Sequence, residues 1–216
     1  MTYLQMVNGV LTRLREDNVT TVDGNDDVVV LLVKDFINDA KRQVENAHTW
    51  TALATEWEFT TTPNDSSVVL TNTASSCIID YIYDDSGVEL NQADRAYVRK
   101  QSKQAGSTTN TPRVFCIDGV GPNSDLKLKL FPTPKEAEDY TVYGFKGSED
   151  LTADTDTCHI APLAVIYMAT AMAARERGEV GGQTPGELLL LAKEYLLSAV
   201  SQDATNSDLE NIWTTV

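Results

Sequence analysis

Residues 44–60, VENAHTWTALATEWEFT, contain the change in periodicity that decides the fold. Before this stretch, apolar residues recur every three or four positions, as they do on one face of a helix. From Glu56 onward the period is two, because Trp57 and Phe59 alternate with polar neighbours. This alternation is typical of a half-buried strand. The chain therefore passes here from a helical part to a β part.

Two helices are predicted before this change. The apolar stripe of the first is Leu4, Val7, Leu11 and Leu14. Thr2 is its candidate N-cap. The second helix is predicted over residues 28–49, with Asp26 or Asp27 placed to cap it and to complement its dipole. Its apolar stripe is Val29, Val33 (or Leu32), Phe36, Ala40, Val44 and Ala47, and its outward residues are Asp35, Asp39, Lys41, Arg42 and Glu45. The short polar connection predicts an antiparallel helix hairpin.

The middle of the chain is predicted to form a small antiparallel sheet or sandwich. Strands are expected at residues 56–60, 68–70, 77–83, 113–118, 126–131 and 140–146, with a short helix at 93–104. Turn-forming residues separate the strands, as in the Pro-Asn-Asp sequence at residues 63–65 and the Asp-Asp-Ser-Gly sequence at 84–87.

Helices return after Pro162. The first is rich in alanine, which allows a neighbouring helix to approach closely, and it ends at residues 178–182. Residues 184–187, TPGE, have the pattern of a capping box with proline at the first helical position. The buried face of the final helix is predicted to contain Leu188, Leu191, Ala192, Tyr195 and Ala199. Leu189 and Leu190 lie outside that face, so this helix is expected to be covered on more than one side.

The order of helices, strands and helices predicts an α+β fold. We expect one helical bundle formed by the N- and C-terminal helices, residues 1–54 and 158–204. Residues 55–157 are expected to form an inserted, β-rich region. Helical periodicity fades beyond Gln202, and residues 205–216 are expected to form an extended C-terminal arm.

The composition argues against several classes of function. With 32 acidic and 17 basic side chains, the formal net charge is −15, whereas nucleic-acid-binding proteins usually carry the opposite sign. Sequence-specific DNA recognition is therefore not expected, although DNA could slide past an acidic wall without being held. The longest aliphatic run, Val28 to Val33, is far shorter than the roughly 18 residues of a membrane span. We expect a soluble protein that is made in a reducing cytoplasm and has no membrane partner.

No catalytic, cofactor-binding or metal site is predicted, and the protein is not expected to be an enzyme. The three cysteines are widely spaced, without a Cys-x-x-Cys pair, and are expected to be buried thiols. His48 is expected to cap or to pack, and His159 follows Cys158 without the two further ligands that zinc needs. The acidic stretches at residues 23–27 and 154–156 fail the calcium-loop pattern and suit turns and caps. A hydrolase that uses carboxylates alone remains an open alternative.

Segments spread over nearly the whole chain share the layout of one protein family. They are MTYLQMVN at residues 1–8, LTRLRE at 11–16, FINDAKRQVE at 36–45 leading into Trp50, LFPTP at 130–134 followed by Tyr140 and Tyr143, and Leu151 and Pro162 before the alanine-rich helix. This layout resembles the head-to-tail adaptor family of short-tailed phages, the tail tubular protein A-like proteins.

The resemblance implies a virion structural protein. It implies a homo-oligomeric ring, typically of twelve copies, between the portal protein and the tail nozzle protein, with DNA passing through the channel without specific binding. It also implies that the C-terminal segment reaches the portal. The residues chosen for the portal interface are Leu209, Ile212, Trp213 and Val216, because a polar tail with a few large apolar residues is often a docking arm. The alternative is a frayed terminus whose tryptophan packs on its own domain.

A second interpretation is a tail accessory protein that binds a host receptor or a glycan through the β-rich region. Its candidate contact residues are the aromatic side chains Trp57, Tyr81, Tyr83 and Tyr97. The competing interpretation of these four residues is that they form the core of the sheet.

Overall fold

The computed structural model describes residues 1–73, 77–104, 109–178 and 184–213, with residues 206–213 as helix backbone only. The elements are α1 (Tyr3–Arg13), α2 (Val28–Glu45), a 3-10 helix (Thr51–Leu53), β1 (Ala54–Thr60), β2 (Ser67–Val69), β3 (Ile78–Asp84), β4 (Asn91–Gln92), α3 (Arg95–Gln104), β5 (Val114–Val120), a second 3-10 helix (Pro122–Ser124), β6 (Leu126–Phe131), β7 (Asp139–Phe145), α4 (Pro162–Arg177) and α5 (Pro185–Trp213). The α+β class, with helices at both ends of the chain, is confirmed.

The chain divides into two compact units. Residues Met1–Ala52 and Ser148–Val216 form the helical unit, which contains α1, α2, α4 and α5. Residues Leu53–Gly147 form the β unit, which contains the seven strands and α3.

Side chains cap the helices at the positions that the sequence indicates. The Thr2 hydroxyl accepts from the Gln5 backbone N–H at 3.3 Å, and the Gln5 side chain accepts from the Thr2 backbone N–H at 3.1 Å. Asp27 accepts from the backbone N–H groups of Val29 and Val30, at 2.8 and 3.4 Å. These bonds satisfy N–H groups that have no partner inside the helix.

The buried face of α2 is rotated relative to the predicted stripe. Val30 and Ile37 are buried, whereas Val29 and Phe36, which were expected inside, are only half-buried. Ala47 lies beyond the end of the helix and is exposed. The apolar run at residues 28–33 fits more than one helical face, so packing against α1 and α4 decides which face is buried.

Lys41 and Glu45 are the second correction on α2. Both were expected to face outward, yet their side chains are 1% and 6% exposed. The Lys41 ammonium lies 3.0 Å from the Glu45 carboxylate and donates to the carbonyl oxygens of Ser148 and Glu149, each at 2.9 Å. These partners offset the cost of removing two charges from water.

α4 contacts all three other helices of the helical unit. Its buried residues are Ala164, Val165, Ile166, Met168, Ala169, Thr170, Ala171, Ala173 and Ala174. The small alanine side chains allow close approach, and Gly9 of α1 faces Ile166 where a Cβ would lie 3.3 Å from its Cδ1 atom. The helix ends at Gly178, whose φ of 64° is left-handed and suits glycine.

α5 begins with the predicted capping box. The Thr184 hydroxyl accepts from the Glu187 N–H at 3.3 Å, and the Glu187 carboxylate accepts from the Thr184 N–H at 2.8 Å. The helix runs to Trp213, further than the apolar periodicity indicates. The residues after Gln202 are mostly polar, which is compatible with a solvent-facing helix but leaves no apolar stripe to predict it.

The β unit consists of two sheets that enclose one apolar core. The strand orders are β1-β7-β3 and β2-β6-β5-β4. The core side chains are Trp57, Phe59, Val68, Leu70, Cys77, Ile79, Ile82, Leu90, Phe115, Leu126, Leu128, Leu130, Tyr140 and Val142. Because both sheets contribute their inward residues to this cluster, their other faces lie on opposite sides of the unit.

One pair of strands departs from the antiparallel prediction. β4 pairs with β5 in parallel, with Asn91 opposite Val114 and Gln92 opposite Phe115. A parallel pair needs a crossover connection, and α3 provides it here. Two polar residues carry no period-two pattern, so the sequence gives no signal for β4.

Candidate interaction surfaces

Among the described residues, no three His, Cys, Asp or Glu side chains lie close enough together to hold a metal ion. All three cysteines are buried, and burial raises the pKa of the Cys116 and Cys158 thiols. Within the part of the chain that the structure covers, no helix is long and apolar enough to cross a membrane.

The acidic stretches that resemble calcium loops act as turns and caps. Asp27 caps α2, and the Asn25 side chain accepts from the Asp27 N–H at 3.0 Å. Asp154 accepts from the Thr21 hydroxyl at 2.7 Å and from the Val22 N–H at 2.6 Å. These carboxylates therefore hold the connection between α1 and α2.

α5 is fixed to the rest of the helical unit near Asp203. The Asp203 carboxylate accepts from the Thr51 N–H at 3.1 Å and from the Thr51 hydroxyl at 2.5 Å, and it lies 3.1 Å from His48 Nε2. The His48 ring packs edge-on against Trp50, with 5.1 Å between ring centroids. His48 thus has the packing role that the sequence analysis gives it.

An aromatic stack positions the first half of α5 against α4. The Tyr195 ring stacks on Tyr167 with 5.1 Å between centroids, and the Arg13 guanidinium lies 4.5 Å from the centre of the Tyr167 ring. The hydrogen bond from Arg13 lowers the pKa of the Tyr167 phenol. α1, α4 and α5 therefore meet in one polar–aromatic contact.

α5 exposes apolar residues on the side that faces away from α4. Leu190 and Leu197 are 61% and 68% exposed, whereas Leu188 and Ala192 are 5% and 0% exposed. Leu190 and Leu197 are seven residues apart, so they share one side of the helix, opposite the buried pair. We call this pair the α5 seam. The sequence predicts cover on more than one side of α5, and the described residues of this chain leave the seam exposed.

The β1-β7-β3 sheet has an acidic outer face. Glu56 and Glu58 project from β1, Asp139 begins β7, and Asp85 follows β3; all four are exposed. Among the described residues, no lysine or arginine pairs with any of these carboxylates. The rings of Tyr81, Tyr83 and Tyr143 lie beside them, with 6.1 Å between neighbouring ring centroids. We call the four carboxylates and three tyrosines the acidic face.

The opposite sheet carries a basic groove. Its lining residues are Arg99, Lys100, Ser102, Lys103 and Gln104 of α3 and Lys129 of β6. Among the described residues, Lys100, Lys103 and Lys129 take part in no ion pair. We call these six residues the basic groove. Its sequence signal is the concentration of arginine and lysine at residues 95–103 of a chain whose net charge is −15.

α3 is held on this sheet by one apolar and two ionic contacts. Val98 is fully buried, and Asp118 of β5 accepts from Arg95 Nε at 2.7 Å and from Arg99 at 2.8 Å. Burial alone raises the pKa of Asp118, but the hydrogen bonds from the two arginines lower it further than burial raises it. These contacts fix α3 on the sheet, and α3 forms one wall of the basic groove.

The four aromatic residues proposed for receptor or glycan binding do not form one surface. Trp57 is buried at 8% exposure in the core, while Tyr81 is 45% exposed on the acidic face and Tyr97 is 50% exposed on α3. Tyr83 is half-buried, and burial followed by the nearby Glu89 carboxylate raises the pKa of its phenol. The interpretation that all four form the sheet core holds for Trp57 alone.

The residues chosen for the portal interface lie at the C-terminal end of the chain. Leu209, Ile212 and Trp213 belong to the last turns of α5, whose backbone alone is described there. Val216 lies outside the described residues. Their side-chain contacts therefore stay a prediction.

The α5 seam, the acidic face and the basic groove are the candidate interaction surfaces of the described residues. The SU10 adaptor protein family matches residues 1–208, nearly the whole chain, and the chain belongs to this family. It is a phage structural adaptor protein, a virion component from a family of structural proteins rather than enzymes. No curated protein matches the sequence significantly. The predicted adaptor class is thus confirmed, while the finer likeness to tail tubular protein A stays a prediction.

Proposed function

We propose that the protein is one subunit of a head-to-tail adaptor ring that joins the portal to the tail nozzle and forms part of the DNA channel. The observation that carries this proposal is the α5 seam. One side of α5 is fixed by α4 and by the Asp203 hydrogen bonds, while Leu190 and Leu197 on the other side are exposed to solvent. A helix from another copy or another virion protein would cover them.

Covering the α5 seam would contribute a small free energy of association, which suits a ring that forms only on the portal. Fully burying a leucine side chain contributes about 1.5–3 kcal/mol, so covering two leucines that are 61% and 68% exposed contributes about 2–4 kcal/mol per contact. Such a contact is weak between two copies in dilute solution. It becomes sufficient when a portal ring holds neighbouring copies at high effective concentration.

The charge of the chain suits the wall of a DNA channel. Each copy carries a formal charge of −15, so a ring of about twelve copies would repel phosphate along its inner surface. DNA would therefore pass through without specific binding. The proposal assigns no catalytic residue, cofactor or metal to the protein.

The portal contact is assigned to the C-terminal end of α5. Leu209 and Ile212 lie three residues apart in α5, the spacing of a helix that docks its apolar side into a groove. Val216, which follows α5 in the sequence, is assigned to the same contact. Trp213 lies next to them in sequence and is of the residue type most often found as an interface anchor.

The experiment that tests this function uses phage heads assembled without the protein. We expect such heads to contain portal and DNA but to carry no tail, and purified protein added with purified tail nozzle protein to restore tail attachment. Tailed, infectious particles formed in the complete absence of the protein would contradict the proposal.

A further inference from the structure

We infer that β units of neighbouring copies dock head to tail, with the basic groove of one copy on the acidic face of the next. The inference deepens the proposed ring and rests on it for the identity of the partner, a second copy of this chain. The two faces that carry it lie within a single β unit.

The first step is the placement of the two surfaces. The acidic face is the outer face of the β1-β7-β3 sheet, and the basic groove lies on the outer face of the other sheet, where α3 packs on β5 and β6. Both sheets turn their inner faces to one core. The two surfaces are therefore on different sides of the unit, so each copy can contact one neighbour through its groove and another through its acidic face, as in a heterologous contact.

The second step is charge complementarity. The groove offers the ammonium groups of Lys100, Lys103 and Lys129, which have no ion-pair partner among the described residues. The acidic face offers exposed carboxylates at Glu56, Glu58, Asp85 and Asp139, which likewise have none there. Three unpaired cations on one side of the unit and four unpaired anions on the other are opposite in sign and similar in number.

The third step is the composition of the acidic face around its carboxylates. Tyr81 and Tyr143 are 45% and 38% exposed. Tyr143 lies on the central strand of this sheet, paired with Glu56 on one side and with Tyr81 on the other. Tyrosine is enriched in protein interfaces, and its ring attracts the ammonium group of lysine. The exposed tyrosine rings beside the carboxylates therefore favour a protein contact on this face over a face that only meets solvent.

A second copy fits the groove better than DNA does. Binding to DNA requires a protein to bring net positive charge to the phosphates, and this chain carries −15. Long-range repulsion would therefore oppose the approach of DNA, especially at low salt. A second copy also carries −15, but residues 53–147, which form the β unit, contain 13 acidic and 9 basic side chains. Two β units can therefore meet with little net repulsion, whereas DNA is negative along its whole length.

The test uses two charge-reversed variants of the full chain. The groove variant is K100E/K103E/K129E, and the acidic-face variant is E56K/E58K/D85K. None of these six side chains makes a hydrogen bond or ion pair within the described residues, so both variants are expected to fold. The charge-preserving control is K100R/K103R/K129R.

Sedimentation velocity at protein concentrations up to about 500 µM measures the association. We expect the wild-type sedimentation coefficient to rise with protein concentration at about 20 mM salt and to fall again at about 500 mM. Each charge-reversed variant alone should associate at least about tenfold more weakly, and the arginine control should behave as the wild type.

The most informative sample in this sedimentation experiment is an equimolar mixture of the two charge-reversed variants. Its mean charge equals that of the wild type, and every groove again meets a face of opposite sign, so association should return. A wild type that stays monomeric at every concentration overturns the inference, as does a mixture that fails to associate. Groove-dependent binding of a labelled DNA duplex, with self-association unaffected by the groove variant, also overturns it.

These outcomes are separable from those of the proposed function. If tail attachment depends on the protein but its β units never associate, the docking inference is wrong and the adaptor proposal stands. If the protein self-associates through charge but heads attach tails without it, the adaptor proposal fails and the docking of β units stands.

Discussion

The Lys41 ammonium and the Glu45 carboxylate form an ion pair of 3.0 Å with both side chains removed from solvent. The Glu45 carboxylate also accepts from the Ser148 hydroxyl at 2.5 Å, and Lys41 donates to the Ser148 carbonyl at 2.9 Å. α2 is thereby fixed to residues 148–149, the segment at which the chain re-enters the helical unit.

The first prediction concerns this pair. Lys41→Met should leave the Glu45 carboxylate buried without a cation beside it, with only the hydrogen bond from the Ser148 hydroxyl, and lower the free energy of unfolding by about 3–5 kcal/mol. The double variant Lys41→Met/Glu45→Met should recover most of that loss, because apolar side chains of similar size need no partner. Urea denaturation of the three proteins measures both effects. A double variant no more stable than the single one would contradict this account.

The second prediction separates assembly from stability in α5. Leu190→Ser/Leu197→Ser should change the free energy of unfolding by less than about 1 kcal/mol, since both side chains are exposed. The same variant should fail to form a layer on portal rings. Leu188→Ala, on the buried side, should instead cost about 2–4 kcal/mol.

Ser198→Asn is the matched control for the second prediction, because Ser198 is exposed on a different side of the same helix. It should be stable and should assemble. Normal assembly of the double serine variant would show that the seam is not an interface.

The third prediction is an acid sensitivity of the helical unit. The Thr21 hydroxyl lowers the pKa of Asp154, and the Thr152 N–H lowers that of Asp156. A carboxyl group with a depressed folded pKa contributes stability above its unfolded pKa of about 3.9 and loses it as the pH falls through the folded value. Stability should therefore decrease below about pH 4.

The variant Asp154→Asn/Asp156→Asn tests the origin of this acid sensitivity. It should be less stable than the wild type at neutral pH, and the difference should shrink as the pH falls below about 4. Denaturation midpoints across this range provide the measurement. Parallel pH profiles for the two proteins would assign the acid sensitivity to other groups.

The fourth prediction concerns the portal contact. Trp213→Ala should weaken binding to portal rings by at least about tenfold without changing the free energy of unfolding appreciably. Binding can be measured with surface-immobilised portal rings, with Thr205→Ala as a control within the same helix. Equal affinity of Trp213→Ala and the wild type would remove the docking role of the C-terminal end.

Local signals in the sequence predict the ends of helices well. Thr2, Asp27 and the Thr184–Glu187 pair were identifiable because a capping hydrogen bond forms between residues two or three positions apart. The same holds for the alternation of Trp57 and Phe59 in β1, which needs only the neighbouring residues.

Features that depend on distant residues were not predictable from periodicity. Lys41 looks like a surface residue until the carbonyl groups of Ser148 and Glu149 are brought to it. β4 is defined by its backbone bonds to β5 and has no apolar pattern of its own. The basic groove combines α3 with Lys129 of β6, which is distant in sequence.

We propose above all that this protein forms a ring on the portal. The most direct measurement is to mix purified protein with purified portal rings of the same phage and to image the particles by electron microscopy. We predict an added, rotationally symmetric layer of about twelve copies, with α5 at the contacts between copies. Portal rings without added density, in the presence of folded protein at high concentration, would contradict the claim.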